Sequence, residues 1–248
     1  RKRNMKSVST IASLLTLACS AVLPLDQVVA GKPIWRETHR AWPTTANQIR
    51  SMISTDGGLF VGTAGPTARS AQVWKLAHRG WTKHAEFPSL KAAVLQADAK
   101  GNLFVGTGTP HSAEIPGRGA AKVWKVGTDG TRTLLRSFPQ HDIAYSMTWL
   151  RGKLHVGMMT EDIPGRAELW RFDDPGWTRL AGRGVPGWPE GSSYAGVYEL
   201  WTDGSALIAG TFSRTTGDGD VLKLVGDRWV DLHAPGTRYA LSFVKFRG

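Results

Sequence analysis

The sequence predicts an all-β fold, a β-propeller of four-stranded blades, on three observations. One phrase recurs four times, each copy is flanked by turns at matching places, and the spacing is that of a propeller blade. The phrase is roughly Gly-x-Leu-aromatic-Val-Gly-Thr. Its copies are Gly58–Thr63, Gly101–Thr107, Gly152–Gly157 and a looser Ala206–Thr211. From Val61 to Val105 to Val156 the period is 44 and then 51 residues.

Each blade is legible strand by strand. A short β-prone run opens it (Ile49–Thr55, Ala92–Asp98, Ala144–Leu150, Gly196–Thr202) and ends in a turn such as Asp56-Gly57-Gly58 or Arg151-Gly152. The phrase is the second strand. A third follows as Val73-Trp74-Lys75-Leu76, Val123-Trp124-Lys125-Val126, Leu169-Trp170-Arg171-Phe172 and Val221-Leu222-Lys223-Leu224. The fourth begins at a constant offset, at Trp81, Thr131, Trp177 and Trp229. The intervening turns Arg79-Gly80, Asp129-Gly130, Pro175-Gly176 and Gly226-Asp227 have tight-hairpin chemistry. No window sustains the three-and-four spacing of an amphipathic helix. A β-sandwich would also show short strands and turns, but it has no reason to repeat one phrase in one register.

The ends read differently from the middle. Trp35 to Trp42-Pro43 resembles a lone fourth strand, and Tyr239–Val244 resembles a first strand whose phrase does not follow. A propeller closed by its N-terminal strand predicts both, with roughly 30 further residues expected to complete the blade. Met5-Lys6, the apolar stretch from Ile11 to Leu25 and Val28-Val29-Ala30 have the order of a secretory signal, with cleavage expected after Ala30. The predicted organisation is therefore a leader over 1–30 and an incomplete propeller over 31–248, secreted or periplasmic. Pro24 and Asp26 interrupt the apolar stretch too early for a spanning helix, so no membrane span is expected in the mature chain. Lipoprotein processing at Cys19 is an alternative, although Thr16-Leu17-Ala18 lacks the leucine-led box.

Cleavage would remove the only cysteine, Cys19, which excludes a disulfide scaffold, a zinc–thiolate site and cysteine catalysis. The formal charge of +11 would fall to +8, with 27 basic and 19 acidic residues. A basic exported protein is suited to anionic polysaccharide or another envelope polymer. The charges are scattered, without a basic run carrying interleaved aromatics, and this argues against nucleic acid. Six of the eleven tryptophans (74, 81, 124, 170, 177 and 229) recur with the repeat and read as packing between blades, as do Trp149 and Trp201. Trp188, in the irregular Gly182–Ser193 segment, reads instead as a ring exposed for ligand stacking.

Binding residues are expected where the repeat breaks. The loops between second and third strands (64–71, 108–121, 158–167, 212–220) vary in length and open on one face together with the connections between blades. Candidate ligand-binding residues there are His111, Glu114, Arg118, His141, Asp142, Tyr145, Glu161, Asp162, Arg166, Trp188, Tyr194, Tyr198, Arg214 and Tyr239. Glu114–Arg118 and Asp162–Arg166 form a shared insert in which acid and arginine can pair across a turn. Glu114, Glu161, Asp162 and Glu199 are the carboxylates from which a glycosidase pair could be drawn. His39, His111, His141 and His155 lack paired metal-ligand spacing, and Asp218-Gly219-Asp220 reads as a turn, so neither metal nor cofactor is expected.

The sequence Leu-Phe-Val-Gly-Thr, then Val-Trp-Lys, then Trp after a glycine turn, resembles bacterial exported propellers of the sialidase-like and kelch-like kind over residues 35–248. The resemblance implies the fold and leaves the activity open. A sialidase aspartate box, Ser/Thr-x-Asp-x-Gly-x-Thr-Trp, is departed from at Thr128–Leu134, and no arginine triad can be carried over. The expected function is therefore an exported binding module whose ligand is a glycan or another envelope component, held at the loop-rich face. A carbohydrate-active hydrolase or lyase is one alternative, and a protein-binding scaffold is the other.

Overall fold

The computed structural model describes residues 46–77, 80–109, 119–160, 163–189, 193–213, 219–233 and 242–243, all within the compact unit Thr38–Gly248. The expected strand at Trp35–Pro43 and the leader lie outside the described residues, as does nearly all of 239–244. Among the described residues sixteen strands make four blades. Blade 1 is β1 (Gln48–Thr55), β2 (Gly58–Ala64), β3 (Gln72–Ala77) and β4 (Gly80–Glu86). Blade 2 is β5 (Lys91–Ala97), β6 (Leu103–Gly108), β7 (Ala121–Val126) and β8 (Arg132–Phe138). Blade 3 is β9 (Ile143–Leu150), β10 (Lys153–Met159), β11 (Glu168–Phe172) and β12 (Trp177–Ala181). Blade 4 is β13 (Tyr194–Thr202), β14 (Leu207–Ser213), β15 (Val221–Val225) and β16 (Arg228–Asp231). The fold is a β-propeller, all antiparallel, and no helix occurs among the described residues.

Within a blade, strands pair in chain order, and β1, β5, β9 and β13 are the innermost and pack against one another. Successive blades are also joined at the loop-rich face by isolated bridges, Ala64↔Lys91, Gly108↔Ile143 and Met159↔Gly196. Among the described residues the ladder does not close into a ring.

The register explains the phrase. Its second glycine lies opposite the innermost strand, in the pairs Ser51↔Gly62, Val94↔Gly106, Ser146↔Gly157 and Glu199↔Gly210. A Cβ on Gly62 would lie 2.7 Å from the Ala92 carbonyl oxygen, and one on Gly106 would lie 2.5 Å from that of Ala144. On Gly157 it would strike the Val197 side chain at 2.8 Å. Ala92, Ala144 and Val197 hold equivalent places on the next blade's inner strand, so the glycine is where each second strand lets the neighbouring sheet approach. Ser51 and Ser146, opposite those glycines, donate their hydroxyls onward to the Ala92 and Val197 carbonyls. The phrase's threonine fastens the next loop, with Thr63 Oγ1 donating to the Ser70 carbonyl at 2.8 Å and accepting from Gln72 N–H at 3.2 Å. Thr211 does the same with both backbone groups of Asp220.

The Trp-Lys pair has a register explanation too. The lysine lies opposite the aromatic slot (Phe60↔Lys75, Phe104↔Lys125), with its ammonium 5.5 and 5.9 Å from the ring centroids. Five tryptophans face the preceding blade: Trp124 meets Phe87, Trp149 meets Phe104, Trp170 and Trp177 meet Phe138, and Trp229 donates to the Leu180 carbonyl at 2.7 Å. Blade 2 departs from the constant hairpin offset. There Val126 pairs with Arg132, one residue later than expected, because Thr131 stays in the turn and donates its N–H and hydroxyl to Asp129.

In blade 3 the aromatic slot holds His155, opposite Arg171 and 4% exposed. Burial drives its pKa down to about 4, with the Arg171 charge acting the same way against the Lys153 carbonyl that its Nδ1 contacts. The unfolded chain gains this proton near pH 6.5, so stability should fall as pH drops from about 6.5 to about 4. His155→Phe, the residue of blades 1 and 2, should flatten that part of the urea-unfolding profile by on the order of 1–3 kcal/mol. An acid limb as steep as wild type would show that His155 does not produce it.

Gly106→Ala should cost about 1–3 kcal/mol in the same measurement through forced displacement of the Ala144 strand. Gly176→Ala, with open space around its added methyl, should stay within about 0.5 kcal/mol of wild type. Equal effects would refute the close-approach account.

Candidate functional site

Each innermost strand carries a β-bulge at the same register, which leaves one extra residue opposite no partner. The residue is Arg50 between the pairs of Ile49 and Ser51, and Ala93 between those of Ala92 and Val94. It is Tyr145 between Ala144 and Ser146, and Tyr198 between Val197 and Glu199. Neighbouring positions hold the repeated packing contacts, and this slot is free of them. It lies a few residues inside the loop-rich face.

Three of the four slots converge. Arg50 Nη2 donates to the Tyr145 hydroxyl at 2.7 Å, and its guanidinium carbon is 5.7 Å from that ring's centroid. The contact joins blade 1 to blade 3 past Ala93, whose methyl leaves room. Tyr145 and Tyr198 pack with centroids 4.4 Å apart and planes tilted by 46°, and Phe212 backs Tyr198 edge-on at 5.6 Å. Arg50 is exposed and both tyrosines are half-buried. Burial and the neighbouring Tyr198 hydroxyl push the Tyr145 hydroxyl well above its usual pKa, against the Arg50 charge, so it stays protonated and can donate. The cluster offers aromatic surface, phenol hydroxyls and one cation, which together suit a hydroxyl-rich ring bearing negative charge.

Glu199 follows Tyr198 and faces Gly210. It is half-buried, without a hydrogen bond or ion pair among the described residues, and burial raises its pKa to about 7. An acid whose folded pKa lies above its unfolded 4.5 costs stability once ionised. Wild-type stability should therefore lose a contribution between about pH 4.5 and pH 7, opposite in sign to that of His155. Glu199→Gln should match wild type at pH 4 and exceed it at pH 8 by roughly 1–3 kcal/mol in urea unfolding. Parallel curves for the two proteins would show that Glu199 is not the titrating group.

His141 and Asp142 lie in the connection between blades 2 and 3 and are buried. His141 Nδ1 is 3.2 Å from Thr160 Oγ1, and Nε2 is 2.9 Å from Glu168 Oε2. Glu168 also accepts from Trp170 Nε1 at 2.9 Å and Arg179 Nη1 at 3.1 Å. Burial opposes these donors, and they still hold its carboxyl below the usual range. Thr160 is fully buried, so the chain of bonds clamps the connection onto blade 3. The outer edge of the group opens into a pocket of about 290 Å³.

The other expected site residues fall apart. Trp188, expected to be exposed, is 5% exposed and packs edge-on against Tyr194 and Trp229 at 5.8 and 5.5 Å. The irregular segment folds inward because Val185 and Trp188 complete blade 4's core, so the ring does not serve stacking. Tyr194 is buried as well, and its hydroxyl donates to Asp220. Arg166 is exposed, and its expected partner Asp162 lies outside the described residues with His111, Glu114, Arg118, Glu161, Arg214 and Tyr239. Among the described residues there is no group of three metal-ligating side chains, and no helix is long and apolar enough to cross a membrane. Sequence reasoning missed Arg50 and Glu168. Aligning the inner runs on their glycine partners, with the bulge counted, would have put Arg50 in one column with the two tyrosines. Glu168 aligns with Gln72, each accepting from the tryptophan two residues on.

No protein-family model matches the chain, and no curated protein does. Solved structures are similar. A protein of unknown function from Dyadobacter fermentans has a TM-score of 0.50 at 12% identity, over 78% of this chain and 71% of that one. The likeness is one of fold. A luciferin-regenerating enzyme gives 0.47 at 16% identity over 76% of this chain, which spans only 63% of that enzyme. The GH74 enzyme of Niastella koreensis gives 0.44 at 12% over 66% of this chain and 26% of its own.

Proposed function

We propose that this protein is an exported propeller that binds a glycan at the loop-rich mouth of its channel, through Tyr145, Tyr198 and Arg50. One observation carries the reading: the bulge slot does not repeat one residue around the blades, holding Arg50, Ala93, Tyr145 and Tyr198 in turn, yet three of its four side chains meet in space, as Arg50–Tyr145–Tyr198. Features that recur in every blade are explained by packing. A slot that varies while its surroundings repeat is explained by a ligand. The basic charge and the leader-like residues 5–30 support an exported protein meeting anionic envelope sugars.

Glu199 favours a second reading, a carbohydrate-active hydrolase or lyase. A carboxyl with a pKa of about 7 is half protonated at neutral pH, the condition a general acid requires.

A glycan array probed with the folded protein should give specific hits. Tyr145→Ala, Tyr198→Ala and Arg50→Ala should each weaken the best hit about tenfold, the loss typical of an aromatic or arginine anchor. A blank array, or undiminished binding by all three variants, would end the channel-mouth reading. Turnover of the same hit, lost in Glu199→Gln with binding intact, would select the enzyme.

A further inference from the structure

The outer strands carry a second repeated bulge, between the pairs of Val73 and Trp74, of Val123 and Trp124, and of Leu169 and Trp170. The residue paired with the first member of each is Ala85, Arg136 and Ala181 in turn. Both alanines are buried in their blades' cores. Blade 2 thus puts an arginine where its neighbours put a methyl group, and nothing in the packing of the repeat calls for it.

Arg136 reaches across to blade 3. Its guanidinium carbon is 4.3 Å from the centroid of Trp170 and 4.8 Å from that of Phe138. It is half-buried, and it has no hydrogen bond or ion pair with any described residue. The nearby carboxylate, Glu168, is already taken by His141, Trp170 and Arg179. Arg136 and Glu168 line the same pocket of about 290 Å³, with Phe138, Pro139 and Gln140 between them. The site therefore holds two guanidinium groups and one fully engaged carboxylate.

A guanidinium held over an indole and unused by any described acceptor keeps its N–H donors available, and its planar fork can grip a carboxylate through two parallel hydrogen bonds. The cavity suits one small ring. The exposed Pro139 offers apolar surface beside the partly exposed Trp170, and the Gln140 side chain and Arg179 offer donors for hydroxyls. We propose that this groove between blades 2 and 3 is a binding subsite for a uronic-acid residue of an acidic polysaccharide, with Arg136 holding its carboxylate. The subsite is separate from the channel mouth and does not depend on the function assigned there.

Calorimetric titration with tri-galacturonate at low ionic strength tests it, with maltotriose and a glutamate-rich peptide as comparison ligands. Wild type should bind tri-galacturonate and neither comparison ligand. Arg136→Ala, which installs the residue of blades 1 and 3, should lose at least about tenfold in affinity. Arg136→Lys keeps the charge without the planar fork and should lose comparably, while Arg132→Ala, which removes the same charge from the same strand but outside the pocket, should bind as wild type does. Thermal melts should show all three variants folded. Absence of tri-galacturonate binding by wild type, equal binding by Arg136→Ala, or equal binding of the peptide would overturn the proposal. A loss in Arg132→Ala as large as that in Arg136→Ala would reduce the effect to net charge and overturn the proposal as well.

Discussion

The close approach of each inner strand to the second glycine of the preceding blade's phrase is the contact on which the rest of the molecule depends. It sets the distance between sheets, and with it how far a tryptophan on the third strand can reach toward the preceding blade. Trp170 and Trp177 both find Phe138 at about 5.5 Å, outside the place where Gly106 lets the Ala144 strand approach. A propeller has few contacts between elements distant in sequence other than those between adjacent blades, so its stability is a sum of similar interfaces. Here each interface combines that glycine contact with a serine-to-carbonyl hydrogen bond in two cases of three, and with an aromatic layer outside it.

The fold was legible because its determinants are short-range and repeated four times. Gly62, Gly106 and Gly157 are visible as letters, and their common spacing reveals a period without any knowledge of what they touch. All four strands of each blade stand within a residue or two of where the runs and turns place them. The exceptions are local. Thr131 was expected to open a strand, and the Asp129 side chain holds it in the turn, a competition between side chain and ladder that spacing does not record.

The candidate site was half legible. Tyr145 and Tyr198 were visible as tyrosines near the starts of inner strands, and they do meet. Arg50 was hidden because a β-bulge shifts the register by one residue, and a sequence carries no mark of a bulge on a strand of ordinary composition. Trp188 was misplaced for the opposite reason. Irregular segments generally lie on the surface, yet this one tucks its indole beneath Tyr194 because the blade 4 core leaves a space that its own strands do not fill. Arg136 was overlooked since arginine on an outer strand is ordinary, and only pairing with Val123 reveals that its counterparts are alanine.

The bulges divide the inner strands into two classes of position with different freedoms. Ala92, Ala144 and Val197 are held by sheet-to-sheet spacing, and a larger side chain there would push neighbouring blades apart. Arg50, Ala93, Tyr145 and Tyr198 stand outside that constraint, one per blade, pointing at a common centre from four independent chain segments. Such a scaffold behaves as a set of exchangeable letters around a fixed frame. A substitution at one of those four addresses changes what faces the centre while leaving in place the glycine contacts that space the blades.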